Sequence, residues 1–268
     1  MIALLGLSAV IAVAAGAPAR TAEFRAGTAF QVQAEYDGKP GVSATPSWYE
    51  LIPDPGGRGG GYRAVEIRAL RGRESWCDAD APTLARPGTH RVALSIRFDG
   101  DAVENWPKDF RAHEPAALTI QPLEWFIRSD DDPVGRMTEL LGLPFVETPR
   151  KIRGLGHPTD LRLWVNCAGL AIYGARRTGR MIPYAAPPAL RRYTTLVAAS
   201  DREPADIPVR RGDLLHFGFQ VAVVYEDRGR IGRLDPEDLI LHAYHDGVEI
   251  KPFGELPYSS LPFEVRRW

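Results

Sequence analysis

The hydrophobic pattern of this 268-residue chain changes near Ser129, and this change constrains the fold more than any other feature. Upstream, apolar and polar residues alternate, as in "HRVALSIRFDG", where the large apolar side chains from Val92 to Phe98 stand at every second position. Downstream, two helical segments precede two strand-rich segments, over 213–227 and 239–253. This order predicts two domains: an all-β domain over 22–128 and an α+β domain over 129–268.

The first domain is expected to be a β-sandwich. Its strand candidates are short, and turn signals such as Asp37-Gly38 and Pro87-Gly88 separate them, which is typical of two packed antiparallel sheets. The sequence lacks the Cys…Trp…Cys pattern of a true immunoglobulin domain. "Immunoglobulin-like" therefore describes only the expected architecture.

The N-terminus, "MIALLGLSAVIAVAAGAPAR", has the features of a secretory signal peptide. Its uncharged apolar stretch from Ile2 to Ala15 is shorter than the roughly 20 residues that a membrane-spanning helix needs. Ala17-Pro18-Ala19 fits a cleavage site with small residues. We therefore predict a signal peptide over 1–19 and a secreted or periplasmic protein with no membrane span after its removal. No Lys or Arg precedes the apolar stretch, so an uncleaved anchor is the alternative.

The net charge argues against a nucleic-acid partner, and the positions of the cysteines argue against a disulfide. The formal net charge is −1 and the pI is about 6.6, which gives no basic footprint for nucleic acid. The two cysteines, Cys77 and Cys167, fall in different predicted domains, so two separate thiols are favoured over a disulfide. No metal or organic cofactor is implied.

Two helix starts stand out in the second domain. Asp132 is a natural N-cap, with Pro133 at the first helical position and Gly142 as a stop signal. Asn166 caps a second helix, predicted from Cys167 to about Thr178. Small residues along this helix should let it pack closely against a sheet: Ala168, Gly169, Ala171, Gly174 and Ala175.

Cys167 would lie in the first turn of that helix. There the helix dipole favours an anion, and a lowered thiol pKa would make the thiolate available as a nucleophile. A buried, inert cysteine is the alternative. A nucleophilic thiol also needs a base, and the downstream strand segments carry His216 and His242. We interpret His245 as a turn residue and His157 as a loop residue.

Five segments together resemble the NlpC-type cell-wall cysteine peptidases. "VNCAGLAIYGARRTGRMIPY" (165–184) resembles their nucleophile helix, which begins Asp-Cys-Ser-Gly-Leu. The others, in the same order as in the family, are "LLGLPFVETP", "RRGDLLHF", "QVAVVYED" and "LILHAYHDGVEI". The resemblance implies a papain-like α+β fold over 129–268. It also implies that Cys167 attacks an amide of a cell-wall peptide, that its backbone N–H stabilises the oxyanion, and that His242 matches the group that normally orients the base.

Some positions depart from the family pattern, and Gln220 is the most important. Gln220 occupies the position of the catalytic His, and a glutamine side chain cannot take a proton from a thiol near neutral pH. The other departures are Asn166 for Asp, Ala168 for Ser and Phe145 for Tyr.

Three alternatives follow from Gln220. His216 could serve as a shifted base, although four residues of regular strand would place it about 13 Å away unless Gly218 marks a bulge. His242 could approach the thiol directly, with Gln220 as its orienting partner. Hydrolysis could also be lost. The first functional hypothesis is therefore a cysteine peptidase or amidase acting on cell-wall peptides. The second is a non-catalytic module of the same fold that binds a cell-wall or envelope ligand.

Overall fold

The computed structural model describes ten segments of the chain: residues 6–13, 21–28, 30–37, 44–54, 61–68, 75–77, 82–98, 101–104, 123–200 and 206–268. The chain forms two compact units, Met1–Arg128 and Ser129–Trp268. The described residues are mostly β-strand, with few helices.

The first unit contains nine described strands and one short helix, α1 (Pro82–Ala85). The strands are β1 (Gly6–Val13), β2 (Thr21–Arg25), β3 (Phe30–Asp37), β4 (Ala44–Asp54), β5 (Gly61–Glu66), β6 (Ser75–Cys77), β7 (Gly88–Phe98), β8 (Asp101–Glu104) and β9 (Leu123–Arg128). They form a three-stranded sheet in the order β1-β3-β6 and a sheet in the order β2-β9-β7-β4-β5, in which β8 pairs with β7.

Aromatic side chains join the two sheets of the first unit. Phe30 of β3 stacks on Phe24 of β2 with ring centroids 4.5 Å apart, and it lies 5.8 Å from the ring of Trp125 in β9. Trp125 is fully buried, and its indole N–H donates to the Leu84 carbonyl oxygen at 2.8 Å. These contacts give the unit a core between its sheets.

β1 lies within the predicted signal peptide. It pairs antiparallel with β3 over its whole length, from Gly6 opposite Asp37 to Val13 opposite Phe30. Cleavage after Ala19 would remove this strand and leave β3 paired with β6. The expected cleavage site itself lies outside the described residues.

The second unit contains six strands and two α-helices. The helices are α2 (Pro133–Met137) and α3 (Cys167–Arg177), and short 3₁₀ helices cover Thr138–Leu140, Pro187–Arg192 and Phe253–Glu255. The strands are β10 (Thr195–Ser200), β11 (Leu214–His216), β12 (Val221–Glu226), β13 (Leu239–Tyr244), β14 (Gly247–Pro252) and β15 (Phe263–Arg267). They form one antiparallel sheet in the order β10-β15-β11-β12-β13-β14.

The two faces of this sheet pack into different cores. Helix α3 shares one apolar cluster with Val221, Val223 and Leu241. Residues of the opposite parity, such as Ala222 and Ile240, belong to a second cluster on the other face. Because side chains alternate along a strand, this division also determines the face to which each strand histidine points.

Both expected helix caps are present. The Asp132 side chain accepts from the Gly135 N–H at 2.5 Å, and the Asn166 side chain accepts from the Gly169 N–H at 2.7 Å. Helix α3 ends at Arg177, as the pattern indicates, whereas α2 changes to 3₁₀ geometry at Thr138.

The expectation that all the small residues of α3 serve packing on a sheet is wrong for Gly174. A Cβ atom at Gly174 would lie 2.3 Å from the Pro133 carbonyl oxygen and 2.6 Å from Met137. Gly174 therefore permits α3 to approach α2, whereas Ala168 and Ala171 belong to the core that α3 shares with the sheet.

A buried ionic cluster connects α3 to the preceding segments. Glu139 is fully buried and accepts hydrogen bonds from the Arg162 guanidinium at 2.8 Å and from the Tyr173 hydroxyl at 2.5 Å. Arg162 has a positive φ of 52°, which is unfavourable for a residue with a Cβ. The ion pair holds this backbone conformation in the loop that leads to Asn166 and Cys167.

Candidate functional site

A groove of about 1000 Å³ in the second unit contains the start of α3. Around the thiol it is lined by Phe145, Asn166, Cys167, Phe219, Gln220 and Tyr244. The groove is large enough for a peptide-sized or drug-sized ligand.

Cys167 is the first residue of α3 and is 5% exposed. Its free thiol lies 4.0 Å from the Phe219 carbonyl oxygen, which accepts the S–H hydrogen bond. Burial raises the pKa of the Cys167 thiol, and the backbone N–H groups of Val221, Ala168 and Cys167 itself, which face the sulphur, only partly oppose this shift. Desolvation therefore changes the thiol pKa more than the N–H groups at the start of the helix do, and the thiol is protonated at neutral pH.

A tight hairpin places Phe219 and Gln220 beside the thiol. Strands β11 and β12 pair with His216 opposite Val221, and the Phe217 N–H donates to the Gln220 carbonyl oxygen at 2.9 Å. Gly218, with a φ of +85°, is the first central residue of this two-residue turn, a position that favours glycine. Gly218 is thus part of a turn and not a bulge in a continuous strand. The Phe219 side chain is 57% exposed at the turn.

The Gln220 side chain is buried and points back into the fold. Its Nε2 donates to the Ala243 carbonyl oxygen at 3.0 Å and to the Tyr258 hydroxyl at 3.3 Å. Gln220 lines the groove together with Cys167. Its amide nitrogen is not available to the thiol, because it donates to Ala243 and Tyr258.

His242 lies behind Gln220 and does not line the groove. On β13 it has the same parity as Ile240, which places it on the face opposite α3. Its Nδ1 is 3.0 Å from the Tyr258 hydroxyl, and its Nε2 is 3.4 Å from Glu249 Oε1 without an aligned hydrogen bond. Burial lowers the pKa of His242, only partly opposed by the Glu249 carboxylate, so the imidazole is neutral at pH 7.

Tyr258 connects the two residues that the sequence associated with the thiol. Its hydroxyl accepts from Gln220 and therefore donates to His242 Nδ1. Burial raises the pKa of Tyr258, which keeps it protonated. No sequence motif indicated Tyr258, because the residue follows the last segment of the resemblance and reaches the site only through the fold.

His216 has neither ring nitrogen free. Its Nδ1 accepts from the Gly218 N–H at 3.1 Å, so its Nε2 carries the proton and donates to the Pro187 carbonyl oxygen at 2.8 Å. Pro187 lines the groove. In this arrangement His216 supports the groove wall and does not contact the thiol.

The two histidines interpreted as turn and loop residues both line the groove. His245 is exposed and contacts the ring of Phe145, with ring centroids 6.0 Å apart. His157 is buried and stacks on Tyr184, with ring centroids 3.7 Å apart. Burial lowers the pKa of His157.

Tyr184 belongs to a polar cluster in the groove wall. Its hydroxyl donates to Asp160 Oδ1 at 2.7 Å, and Arg176 lies over its ring, 5.2 Å from the centroid. The spacing of these residues along the chain does not indicate that they form one surface.

The described segments contain neither a membrane-spanning helix nor a metal-binding cluster. No helix there is long and apolar enough to cross a membrane. No group of three or more His, Cys, Asp and Glu side chains in those segments is placed to hold a metal ion.

The fold and the site define a mostly β protein whose second unit carries a cysteine-centred groove. Comparison with protein-family models, curated proteins and solved structures finds no match.

Proposed function

We propose that the second unit is a papain-like α+β domain of the NlpC type that binds a peptide-like ligand of the cell envelope without hydrolysing it. The observation that carries this proposal is the environment of Cys167. The thiol is hydrogen-bonded to a backbone carbonyl, and among the described residues no imidazole forms a hydrogen bond with it.

Protonation of the thiol supports binding over hydrolysis. A cysteine nucleophile acts as the thiolate, which needs either a lowered pKa or an adjacent base. Here burial raises the pKa of Cys167, and Gln220 stands at the base position.

The groove supports the peptide-like class of ligand. It combines an exposed aromatic side chain, Phe219, with charged side chains of both signs, including Asp160 and Arg176. Such a lining accommodates an extended chain that carries apolar and ionic groups. The signal-peptide pattern adds the expectation that the protein is exported. For the first unit we keep the proposal of an immunoglobulin-like sandwich.

The second candidate is a cysteine peptidase or amidase. One observation favours it: the backbone N–H groups of Val221, Ala168 and Cys167 face the sulphur and oppose the effect of burial on the pKa of the thiol, which favours the thiolate. A hydrolase would then need a rearrangement that brings an imidazole to the thiol, because the Gln220 amide cannot take the thiol proton.

Soluble peptide fragments from purified cell wall test both candidates. Binding is measured by calorimetry and cleavage by mass spectrometry, for the wild type and for Cys167→Ala. Non-hydrolytic binding predicts intact fragments and similar affinity in both proteins. Cleavage by the wild type that disappears in Cys167→Ala would establish the hydrolase and contradict the proposal.

A groove variant tests where the ligand binds. Phe219→Ala should weaken binding about tenfold, because a contacting aromatic side chain often dominates the binding energy. Leu196→Ala is the matched control: Leu196 is 52% exposed, on β10, and is not part of the groove lining. Equal effects of both substitutions would place the ligand elsewhere.

A further inference from the structure

One imidazole joins two separate parts of the groove lining. His216 is 1% exposed, and its ring contacts a backbone group on each side. Its Nδ1 accepts from the Gly218 N–H at 3.1 Å, and its Nε2 donates to the Pro187 carbonyl oxygen at 2.8 Å. Gly218 belongs to the hairpin turn that carries Phe219 and Gln220, whereas Pro187 begins a 3₁₀ helix. His216 therefore connects the hairpin tip to a segment that is distant in the chain.

The two contacts of His216 define the protonation state of its ring. The Gly218 N–H can only donate, and the Pro187 carbonyl oxygen can only accept, so the ring must carry a single proton, on Nε2. In a doubly protonated ring, the Nδ1–H would point at the Gly218 N–H and their hydrogen bond would be lost. The arrangement in the structure thus requires an uncharged His216.

Hydrogen bonds, more than packing, hold the hairpin tip in place. A Cβ atom at Gly218 would meet no other described segment within 4 Å, and the Phe219 side chain is 57% exposed. Besides the contact with His216, the turn has the hydrogen bond from the Phe217 N–H to the Gln220 carbonyl oxygen. The Phe219 carbonyl oxygen at this tip accepts from the thiol at the start of α3. The contact with His216 therefore helps to determine where that carbonyl oxygen lies.

The charged groups around His216 offer little compensation for a proton on its ring. Glu264 of β15 stands opposite His216 in the sheet, and it is already paired with Arg266 at 2.7 Å and with Arg191 of the 3₁₀ helix at 3.1 Å. The same 3₁₀ helix carries Arg192, which is exposed, and β12 places an apolar residue opposite His216. A buried imidazolium without a partner of its own is unfavourable, so a proton is better accommodated once the tip has moved and water reaches the ring.

We propose that uncharged His216 is the positioning residue that holds the Phe219 carbonyl oxygen against the Cys167 thiol, and that protonation of His216 releases the hairpin tip and opens the groove at the thiol. At this residue the closed groove binds one proton fewer than the open groove, so the open form is favoured as the pH falls. Histidine side chains commonly change charge between about pH 5 and 8. This inference names a regulation of the groove and rests on the proposed function for the identity of its ligand.

The accessibility of the Cys167 thiol measures this opening without knowledge of the natural ligand. The probe is 2,2′-dithiodipyridine, which reacts with thiols in acid as well as at neutral pH. The Cys167 sulphur forms a mixed disulfide with one thiopyridyl group, and pyridine-2-thione leaves with the thiol proton. The full chain with Cys77→Ser is used, and each rate constant is divided by that of N-acetylcysteine at the same pH. Because both thiols are mainly protonated at and below neutral pH, their thiolate fractions change in parallel.

The normalised rate constant should rise by about tenfold between about pH 7.5 and pH 5, because loss of one proton-excluding contact changes the population of the closed form by up to tenfold per pH unit. Near-ultraviolet circular dichroism over the same range verifies that the second unit stays folded. The rise then reports a local opening at the thiol.

Two substitutions separate the two contacts of His216. His216→Gln keeps a donor at the reach of Nε2, towards Pro187, but provides no acceptor for the Gly218 N–H. Its normalised rate constant should be high at every pH. His216→Asn keeps an acceptor at the reach of Nδ1 for the Gly218 N–H, so its normalised rate constant should be low at every pH. Neither amide side chain titrates in this range.

His242→Gln is the matched control, because His242 is an equally buried histidine of the same sheet. This variant should keep the pH response of the otherwise unmodified chain. A response that disappears in His242→Gln and persists in His216→Gln would assign the switch to His242 and overturn the proposal. A normalised rate constant that does not change with pH in the otherwise unmodified chain would overturn it as well.

A second measurement covers the case in which the His216 variants do not fold. Hydrogen exchange of the segment 217–220 in the unmodified chain should show protection factors that decrease with the pH, and constant protection would contradict the release of the tip. Neither readout involves wall peptides. A protein that opens in acid but binds no wall peptide retains the role of His216 and loses the proposed function, whereas peptide binding with a constant normalised rate shows the reverse.

Discussion

The thiol of Cys167 lies 4.0 Å from the backbone carbonyl oxygen of Phe219, which accepts its hydrogen bond. A carbonyl oxygen stabilises the protonated thiol and disfavours the thiolate. Burial acts in the same direction, so the start of α3 holds a neutral thiol although the helix dipole favours an anion.

Thiol alkylation should therefore be slow at neutral pH. Because burial raises the pKa of Cys167, its rate constant with iodoacetamide should reach half its maximum at a higher pH than that of free cysteine. A stopped-flow or mass-spectrometric rate profile between pH 6 and 11 tests this, with Cys167→Ala as the control that isolates labelling at Cys77. A midpoint near or below pH 7 would show an activated thiolate and contradict the assignment.

Gln220→His should make the thiol reactive. Gln220 lines the groove together with Cys167, so an imidazole at position 220 that turns towards the groove could take the thiol proton, and alkylation at pH 7 should accelerate by about tenfold or more. Gln220→Met is the matched control without a base. Equal alkylation rates in the two variants would show that a side chain at position 220 does not take the proton of the Cys167 thiol. Peptide cleavage that appears only in Gln220→His would indicate that the base is the missing component.

Tyr173→Phe should destabilise the second unit by about 1.5–3 kcal/mol, because it removes a hydrogen bond to the buried Glu139 carboxylate. Tyr184→Phe provides the comparison: its hydroxyl also donates to a carboxylate, that of Asp160, but the bond is solvent-exposed. Denaturant titration should give a clearly smaller loss in the free energy of unfolding for Tyr184→Phe. Equal losses would mean that the buried cluster adds no special stability.

Acid should weaken the second unit through its buried histidines. Burial lowers the pKa of His242 and of His157 in the folded protein, so below the unfolded-state value of 6.5 the unfolded chain binds more protons. The free energy of unfolding should fall as the pH decreases through that range. His242→Gln should reduce the pH dependence, whereas His245→Gln, at an exposed position, should leave it unchanged.

Mass spectrometry of the mature chain tests the predicted signal peptide. If residues 1–19 are a signal peptide, mass spectrometry of protein from the native host should find a chain that begins near Arg20. Cleavage would also remove β1, which pairs with β3 from Gly6 to Val13. A chain that still contains Met1 would eliminate the cleavage hypothesis and retain this strand.

Several features could be predicted from the sequence because they depend only on neighbouring residues. The caps at Asp132 and Asn166 and the end of α3 follow from rules that act within one helical turn, and the structure confirms them. Alternation of apolar residues predicted the strand β7 (Gly88–Phe98) because its period reflects the strand itself. The structure shows that Cys167 is buried, while the reactivity of its thiol stays a prediction.

Only the tertiary structure decided what surrounds the thiol. Sequence order brought His242 close to Gln220, and both side chains contact the Tyr258 hydroxyl, which stands between them. His242 points to the face of the sheet opposite α3 and does not line the groove, so it does not reach the thiol. His157 joins the groove wall through its stacking contact with Tyr184, which is distant in the chain. The sequence specifies which groups are available and where helices and strands begin. The direction of a side chain across a sheet, and its degree of desolvation, depend on long-range packing that no local pattern encodes.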